Sequence, residues 1–225
     1  ESRTFVTGNI KFDYTTPDGL VEKAKKFKQE FALDKKIWVA GSTHKGEEKI
    51  ILDAHKRIME VYPDTLLIIA PRRPERFQSV YNLIDKRGFS CVSRSKEVQI
   101  SETTQVMLAD TMGELPMYYS ASSVSFVGGS LLKTGGHNLL EPASLGTPII
   151  TGPILFGVEE IANMLQANGA LEIINDAEEL SKIVCQLLSD SGQRKKMTKA
   201  ARKVLDKNKG SVQKLLSLIV PLLKS

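Results

Sequence analysis

Short apolar runs alternate with amphipathic stretches through the middle of the chain. Ile37-Trp38-Val39-Ala40 has the pattern of a short buried strand. A helix is predicted next, from about Gly46 to Tyr62, with Ile51, Ala54, Ile58 and Val61 at helical spacing and lysines and glutamates on the other face. Leu66 to Ala70 is a continuous apolar run, as expected of a central parallel strand covered on both faces. Phe77, Val80, Tyr81 and Ile84 then mark one side of a further helix. Phe89 to Val92 and Val106 to Leu108 read as strands, Glu114 to Ser120 as a helix and Val124 to Val127 as a strand. A short helix around Leu139 to Leu145 and strands at Pro148 to Thr151 and Leu171 to Ile174 complete the series.

This alternation predicts an α/β fold, a doubly wound parallel sheet of Rossmann-like type built from βαβ crossovers. From Asp176 onward the pattern is helical only, and Asp176 with Glu179 has the spacing of a capping box. The last segment lines up Leu215, Ile219, Leu222 and Leu223, and Pro221 must bend or end that helix. Two packings stand open for it: against this sheet, or against a surface from elsewhere.

Composition and charge narrow the class. The chain has 225 residues, 41% apolar and 25% charged, enough for a packed core without staples. Cys91 and Cys185 lie far apart in apolar segments, which predicts buried free thiols and fits a reducing compartment. No apolar run approaches the roughly 20 residues needed to cross a bilayer. Glu1-Ser2-Arg3-Thr4 reads as a cut within a longer chain rather than a signal peptide. The net charge of +5 is concentrated in Lys23 to Lys36 and Arg194 to Lys209. These are either solvated helix faces or contacts for an anionic partner such as a membrane surface or phosphorylated lipid. Nucleic acid is disfavoured, because no aromatic residues interleave with the charges and no nucleic-acid-binding motif is present.

In an open parallel sheet, ligands bind beyond the carboxyl ends of the strands, so the loops after strands carry the candidate chemistry. Gly41-Ser42-Thr43-His44-Lys45-Gly46 offers hydroxyls, a lysine and free N–H groups at a helix start, suited to an anion or to an ordinary turn capped by Thr43. Pro71-Arg72-Arg73-Pro74 is stiffened by its prolines, and Arg72 can pair with a phosphate through its planar fork or sit as a surface charge. In Asp110-Thr111-Met112-Gly113-Glu114, Thr111 and Glu114 have capping-box spacing, while Gly113 in the first turn permits close approach of a ligand to the backbone. Gly128 through Pro142 is the densest signal: four glycines in the nine residues 128–136 make a backbone-lined concavity suited to phosphate or sugar oxygens. Glu141, at the head of a short helix, can accept hydrogen bonds from two ribose hydroxyls or cap that helix with Asn138.

Other chemistries are disfavoured. Lys133-Thr134 follows glycines, but Leu132 and Val127 stand where a P-loop requires glycine, and no GxGxxG follows any strand. His44, His55 and His137 lack metal-ligand spacing. His55 reads as structural or solvated, whereas His44 and His137 lie in the candidate loops. No Gly-x-Ser-x-Gly elbow or activated nucleophile is present. The residues alone leave open a transferase or epimerase using a UDP-sugar, and a non-catalytic module that binds nucleotide or anionic lipid.

Gly8-Asn9-Ile10-Lys11-Phe12-Asp13, the run Ala40 to Glu48, Pro71 to Phe77, Asp110 to Leu115 and Gly128 to Ala143 together resemble the 3-deoxy-D-manno-octulosonic acid (Kdo) transferases of Gram-negative lipopolysaccharide synthesis. The resemblance runs from about residue 8 to the end and covers the carboxyl-terminal half of a two-domain GT-B fold. It implies that residues 1–225 form the domain that binds the donor CMP-Kdo, with a helical extension over about 176–225 and an amino-terminal acceptor domain not included. It further implies an inverting transfer of Kdo to the lipid A precursor (lipid IVA), with no metal and no cofactor. Pro71, Arg72, Met112, Gly113, Glu114, Asn138, Leu139, Leu140 and Glu141 match the CMP-contacting segments. Ser42, Thr43, His44, Lys45, Gly135, Gly136 and His137 are candidate donor contacts. The catalytic base is implied to be a glutamate of the amino-terminal domain, which also carries a membrane anchor. The intact enzyme would thus work on the anionic cytoplasmic face of the bacterial inner membrane, and this part alone would be soluble and inactive. Arg73 stands where the family commonly has histidine and Leu139 where it commonly has proline, and no asparagine follows Phe156.

Overall fold

The computed structural model describes residues 4–31, 35–96 and 100–223. Glu1 to Arg3, at the expected cut, and residues 32–34 of the first lysine cluster lie outside the described residues. Seven parallel strands form one sheet: β1 (Lys36–Thr43), β2 (Thr65–Pro71), β3 (Cys91–Ser93), β4 (Val106–Leu108), β5 (Val124–Val127), β6 (Ile149–Thr151) and β7 (Leu171–Ile173), in the order β3-β4-β2-β1-β5-β6-β7. The helices are α1 (Leu20–Phe31), α2 (Glu47–Val61), α3 (Phe77–Lys86), α4 (Leu115–Ala121), α5 (Leu140–Ser144), α6 (Glu159–Ala167), α7 (Ala177–Ser189), α8 (Ser191–Asn208) and α9 (Ser211–Leu222).

Strand alternation divides the core into two layers. Ile37, Val39, Leu66 and Ile68 point to the side covered by α1, α4, α5, α6 and α8. Trp38, Ala40, Leu67 and Ile69 point to the side covered by α2, α3 and α7. Apolar residues are therefore needed at consecutive positions of β1 and β2, which explains their unbroken runs. The chain reverses its winding between β1 and β5, and the crevice beyond their carboxyl ends is the topological switch point.

Several local expectations are corrected. β1 extends through Thr43 instead of ending at Ala40, with an irregularity between Gly41 and Thr43. Ser42, at that irregularity, has φ 55°, the sole positive φ of a non-glycine residue among those described. Thr43 does not cap α2: Gly46 occupies that position, and the Thr43 hydroxyl donates to the Glu48 carboxylate at 2.7 Å. Gly113 lies before α4 and not in its first turn, with φ 84°. Asp176 does cap α7, accepting from the N–H groups of Glu178 and Glu179, but the Glu179 side chain accepts from the Asn175 N–H rather than closing a box with Asp176. Cys91 and Cys185 are free thiols but only half-buried, and burial pushes the Cys91 thiol up to about 11.

Both basic clusters sit on helices whose opposite faces are packed. Leu20, Ala24 and Phe27 of α1 and Met197, Ala201, Val204 and Leu205 of α8 are buried, which leaves the lysines in solvent. On α9, Ser211 is buried, whereas Leu215, Leu216, Ile219, Val220 and Leu222 are exposed. Pro221 falls inside the last turn, one residue before the helix ends at Leu222. Among the described residues, no helix is long and apolar enough to cross a membrane.

Candidate functional site

The loops beyond β1, β2, β4 and β5 converge at the switch point. A cavity of about 360 Å³ is lined there by Ser42, Pro71, Arg72, Thr111, Met112, Gly113, Asn138 and Glu141, with Ala70, Ala109, Leu115, Pro116 and Tyr118 completing the wall. Six of the candidate nucleotide contacts thus meet at one place, although they come from three separate loops. A second cavity, of about 590 Å³, lies on the other side of Asn138 and is lined by Lys11, Asp13, Tyr14, Gly136, His137 and Phe156 among others.

Three candidates sit differently. Leu139 and Leu140 are fully buried and belong to the core, so their contribution at the cavity is restricted to backbone. Glu114 is not among the lining residues: its carboxylate accepts from Arg94 at 3.2 and 3.3 Å, from Tyr118 at 2.9 Å and from the Thr111 hydroxyl. Burial alone would raise this carboxyl, but the hydrogen bonds from Thr111, Arg94 and Tyr118 outweigh it and hold Glu114 below the usual carboxylate range. Its visible work is to brace the loop that presents Met112 and Gly113.

The glycine-rich loop after β5 is indeed an anion-binding concavity, but the protein fills part of it. Glu47, fully buried at the start of α2, accepts hydrogen bonds from the N–H groups of Gly129 (2.8 Å), Ser130 (3.0 Å) and Leu131 (3.0 Å), and from that of His44 (2.8 Å). Those backbone donors are therefore not open to a phosphate, contrary to the expectation for this stretch. Gly129 makes the arrangement feasible: it has φ 81°, and a Cβ there would lie 2.3 Å from the Gly135 carbonyl oxygen. Beside it, Glu48 pairs with Arg76 through two bonds of 2.7 and 2.9 Å, and Arg76 also donates to the Thr43 carbonyl. Both acids look in sequence like helix-start surface charges, and nothing in their spacing signalled burial.

The clamp made by Glu47 brings two histidines together. His44 Nε2 and His137 Nε2 are 2.7 Å apart, with ring centroids at 4.9 Å and ring planes at 13°. Burial lowers His44; Arg76 and Arg73 add to that, while Glu47 and Glu48 oppose it. Burial, the neighbouring His44 and the Arg72 charge push His137 down to about 4. Lys45 is exposed and lines neither cavity, and Gly135 is buried beneath Phe156.

Arg72 and Glu141 contrast with these satisfied groups. Among the described residues, the Arg72 guanidinium makes no ion pair, and its backbone N–H is fixed by the Thr43 carbonyl at 3.0 Å. Burial lifts the Glu141 carboxyl above its ordinary value, with the Tyr14 hydroxyl pulling the other way. Asn138 does not cap the short helix that carries Glu141, whose N-cap is Leu139, but its side-chain oxygen accepts from the Leu140 N–H at 3.0 Å. Among the described residues, no group of three or more His, Cys, Asp or Glu side chains is arranged to hold a metal ion.

Comparison with known proteins agrees with this arrangement. Residues 21–204 match the family model for glycosyl transferases group 1. The chain is 43% identical over 220 residues to a 3-deoxy-D-manno-octulosonic acid transferase of Haemophilus influenzae, covering 97% of this chain and 52% of that protein. It is 30% identical over 218 residues to the enzyme of the same name from Bordetella pertussis, covering 95% and 50%. The chain thus spans about half the length of the curated relatives it matches. Among solved structures, the C-terminal CMP-Kdo binding domain of WaaA from Acinetobacter baumannii superposes with a TM-score of 0.80 at 34% identity, covering 83% of this chain and 98% of that one.

Proposed function

This chain belongs to the group 1 glycosyl transferases and, within them, to the carboxyl-terminal domains of the Kdo transferases, and from that premise we propose that it binds CMP-Kdo and presents it for transfer to a lipid A precursor. The observation that carries the proposal is the cavity at the switch point, where Arg72 and Glu141 face the same space and neither makes an ion pair among the described residues. A cytidine monophosphate supplies what each lacks. Its phosphate takes the Arg72 fork, its ribose hydroxyls donate to Glu141, and its base lies against the rigid backbone of Pro71 and the Met112-Gly113 turn.

In this reading the domain's share of catalysis is electrostatic. Arg72 and the loop dipoles stabilise charge that accumulates on the departing CMP, without a metal and with inversion at the transferred sugar. Deprotonating the acceptor hydroxyl of lipid IVA is assigned to the other half of the longer enzyme, together with docking to the anionic inner-membrane surface. This domain alone then binds donor and transfers nothing.

Calorimetric titration with CMP, UMP and AMP tests the proposal. CMP is expected to bind at least tenfold more tightly than either, about 1.4 kcal/mol. Equal affinity for the three, or preference for UMP, would replace the cytidine donor with another nucleotide sugar.

A further inference from the structure

The contact between His44 and His137 has a consequence for donor binding. A nitrogen–nitrogen distance of 2.7 Å excludes face-to-face stacking, and the centroid separation of 4.9 Å exceeds it by about the sum of the two ring radii. The rings therefore lie nearly edge to edge in a common plane, with the two Nε2 atoms aimed at each other. Only one hydrogen fits between them. In the neutral pair, one ring donates Nε2–H and keeps a bare Nδ1, while the other accepts at Nε2 and carries its proton on Nδ1. One further proton can enter at the bare Nδ1 without disturbing the contact. A second would set two N–H groups against each other and break it. The pair is thus built to hold one positive charge or none.

The surroundings decide which. Arg72, Arg73 and Arg76 approach from the segment after β2 and oppose protonation, while Glu47 and Glu48 approach from α2 and favour it. Both acids are already engaged, Glu47 by four backbone N–H groups and Glu48 by Arg76 and Thr43. Burial adds to the arginines, so the unliganded pair stays neutral at neutral pH. An anion settling on Arg72 reverses this balance at His137, because it cancels the arginine charge that opposes protonation there and adds a negative one. His137 stands where such a reversal is felt: it lines the second cavity, and its neighbour Asn138 lines both.

We propose that the His44–His137 pair takes up one proton when the donor phosphate binds, so that the phosphodiester meets two positive charges, Arg72 and the shared imidazolium, of which only one exists beforehand. Glu47 is the positioning residue, since it ties the His44 backbone to the loop that carries His137. The inference rests on the nucleotide reading of the cavity, and it adds a role for both histidines that the phosphate contact alone does not require.

Cytidine 5′-(methyl phosphate) is a suitable probe, because as a phosphodiester its single charge does not titrate near neutral pH. Its binding to this chain is measured by calorimetry at pH 7.5 in buffers of different ionisation enthalpy, where the slope of the observed heat gives protons taken up. The expected result is an uptake approaching one proton. It is accompanied by an affinity that falls by up to about tenfold per pH unit as the pH rises past the bound pair's titration. His137→Gln and, separately, His44→Gln should bind more weakly with uptake near zero. Binding without buffer-dependent heat overturns the proton proposal and leaves the nucleotide site standing. Uptake that persists in both variants overturns it as well, placing the proton elsewhere. Failure of the probe and of CMP to bind at all overturns both readings together.

Discussion

Glu47 and Glu48 at the start of α2 and Arg72 and Glu141 at the cavity wall are two pairs built oppositely. The first pair is fully buried, and its carboxylates are occupied by four backbone N–H groups, a hydroxyl and a guanidinium. The second pair faces a cavity and has no oppositely charged partner among the described residues. A buried charge survives only where the protein supplies its partners, so the first pair must be structural. A charge left at a cavity wall costs less and stays available, so the second pair is where a ligand gains. The difference separates what builds the site from what uses it, and substitutions in the two pairs should behave differently.

The largest effect is expected at Glu48. Truncation to Ala strands the Arg76 guanidinium, only 18% exposed, with the Thr43 carbonyl as its remaining partner. Loss of one partner of such a pair costs about 3–5 kcal/mol. Urea unfolding should show a fall of that size. Glu48→Ala stability within 1 kcal/mol of wild type, taken as roughly the worth of an exposed pair, would mean that the pair is more hydrated than its geometry indicates.

A second large effect concerns His55, which resolves the choice between a structural and a solvated histidine. It is fully buried, accepts from the Trp38 indole N–H at Nδ1 (3.2 Å) and donates from Nε2 to the Gln105 carbonyl (3.0 Å), which fixes the neutral tautomer. Protonation would turn an N–H against the indole N–H. Burial lowers this histidine from 6.5 to about 4, with the Gln105 carbonyl acting the other way. The unfolded chain therefore binds the proton first as pH falls. Stability is full above pH 6.5 and declines as pH falls from there toward about 4, by about 3 kcal/mol in total. An NMR titration should find the His55 ring unprotonated at pH 5; a midpoint near 6.5 would show that the network opens easily.

Glu47 is expected to come next, and it divides by substitution. Glu47→Gln keeps one acceptor oxygen but replaces the other with a donor that faces backbone N–H groups. Each oxygen serves two N–H groups, so two backbone donors lose their acceptor, and a loss upward of about 1–3 kcal/mol follows, the cost of one such donor left unpaired. Because Gly129, Ser130 and His44 all lean on this side chain, its distinguishing sign is loosening of both loops. Amide exchange at Gly129 to Leu131 should rise in Glu47→Gln by more than it does in Glu48→Ala after both are corrected for global stability. Equal protection would show that the loop holds itself.

How far each pair was legible in sequence follows from the same contrast. The strands and helices could be read because each rests on local periodicity, and the double winding followed from their alternation. Arg72, Gly113 and Glu141 are legible because they lie in loops that follow strands, where parallel sheets place their ligands, whereas Pro71, Met112 and Asn138 are singled out only by the resemblance to the Kdo transferases. Glu47 and Glu48 could not, because acids at a helix start ordinarily face solvent and complement the helix dipole. The partners of Glu47 lie in a loop 82 to 84 residues further along the chain, and the guanidinium that pairs with Glu48 lies 28 residues further along. Thr43 and the Thr111–Glu114 spacing do not form caps for a related reason: other side chains, Glu48 in one case and Arg94 with Tyr118 in the other, engage groups that local spacing assigns to backbone.

The smallest expected effect on folding is at Arg72, and it carries the sharpest test of the comparison. The side chain is exposed and unpaired, so Arg72→Ala should change unfolding free energy by no more than about 0.5 kcal/mol. Removing its charge also acts on a neighbour: His137 loses one of the charges that hold its proton affinity down, and its titration should move upward from about 4. Donor affinity should nevertheless fall about tenfold to a hundredfold, the worth of a hydrogen-bonded charge at roughly 1.5–3 kcal/mol. Calorimetry with CMP and urea unfolding on the same variant give both numbers. Intact binding would remove Arg72 from the phosphate site. A stability loss as large as that of Glu48→Ala would erase the distinction between groups that build the crevice and groups that wait in it.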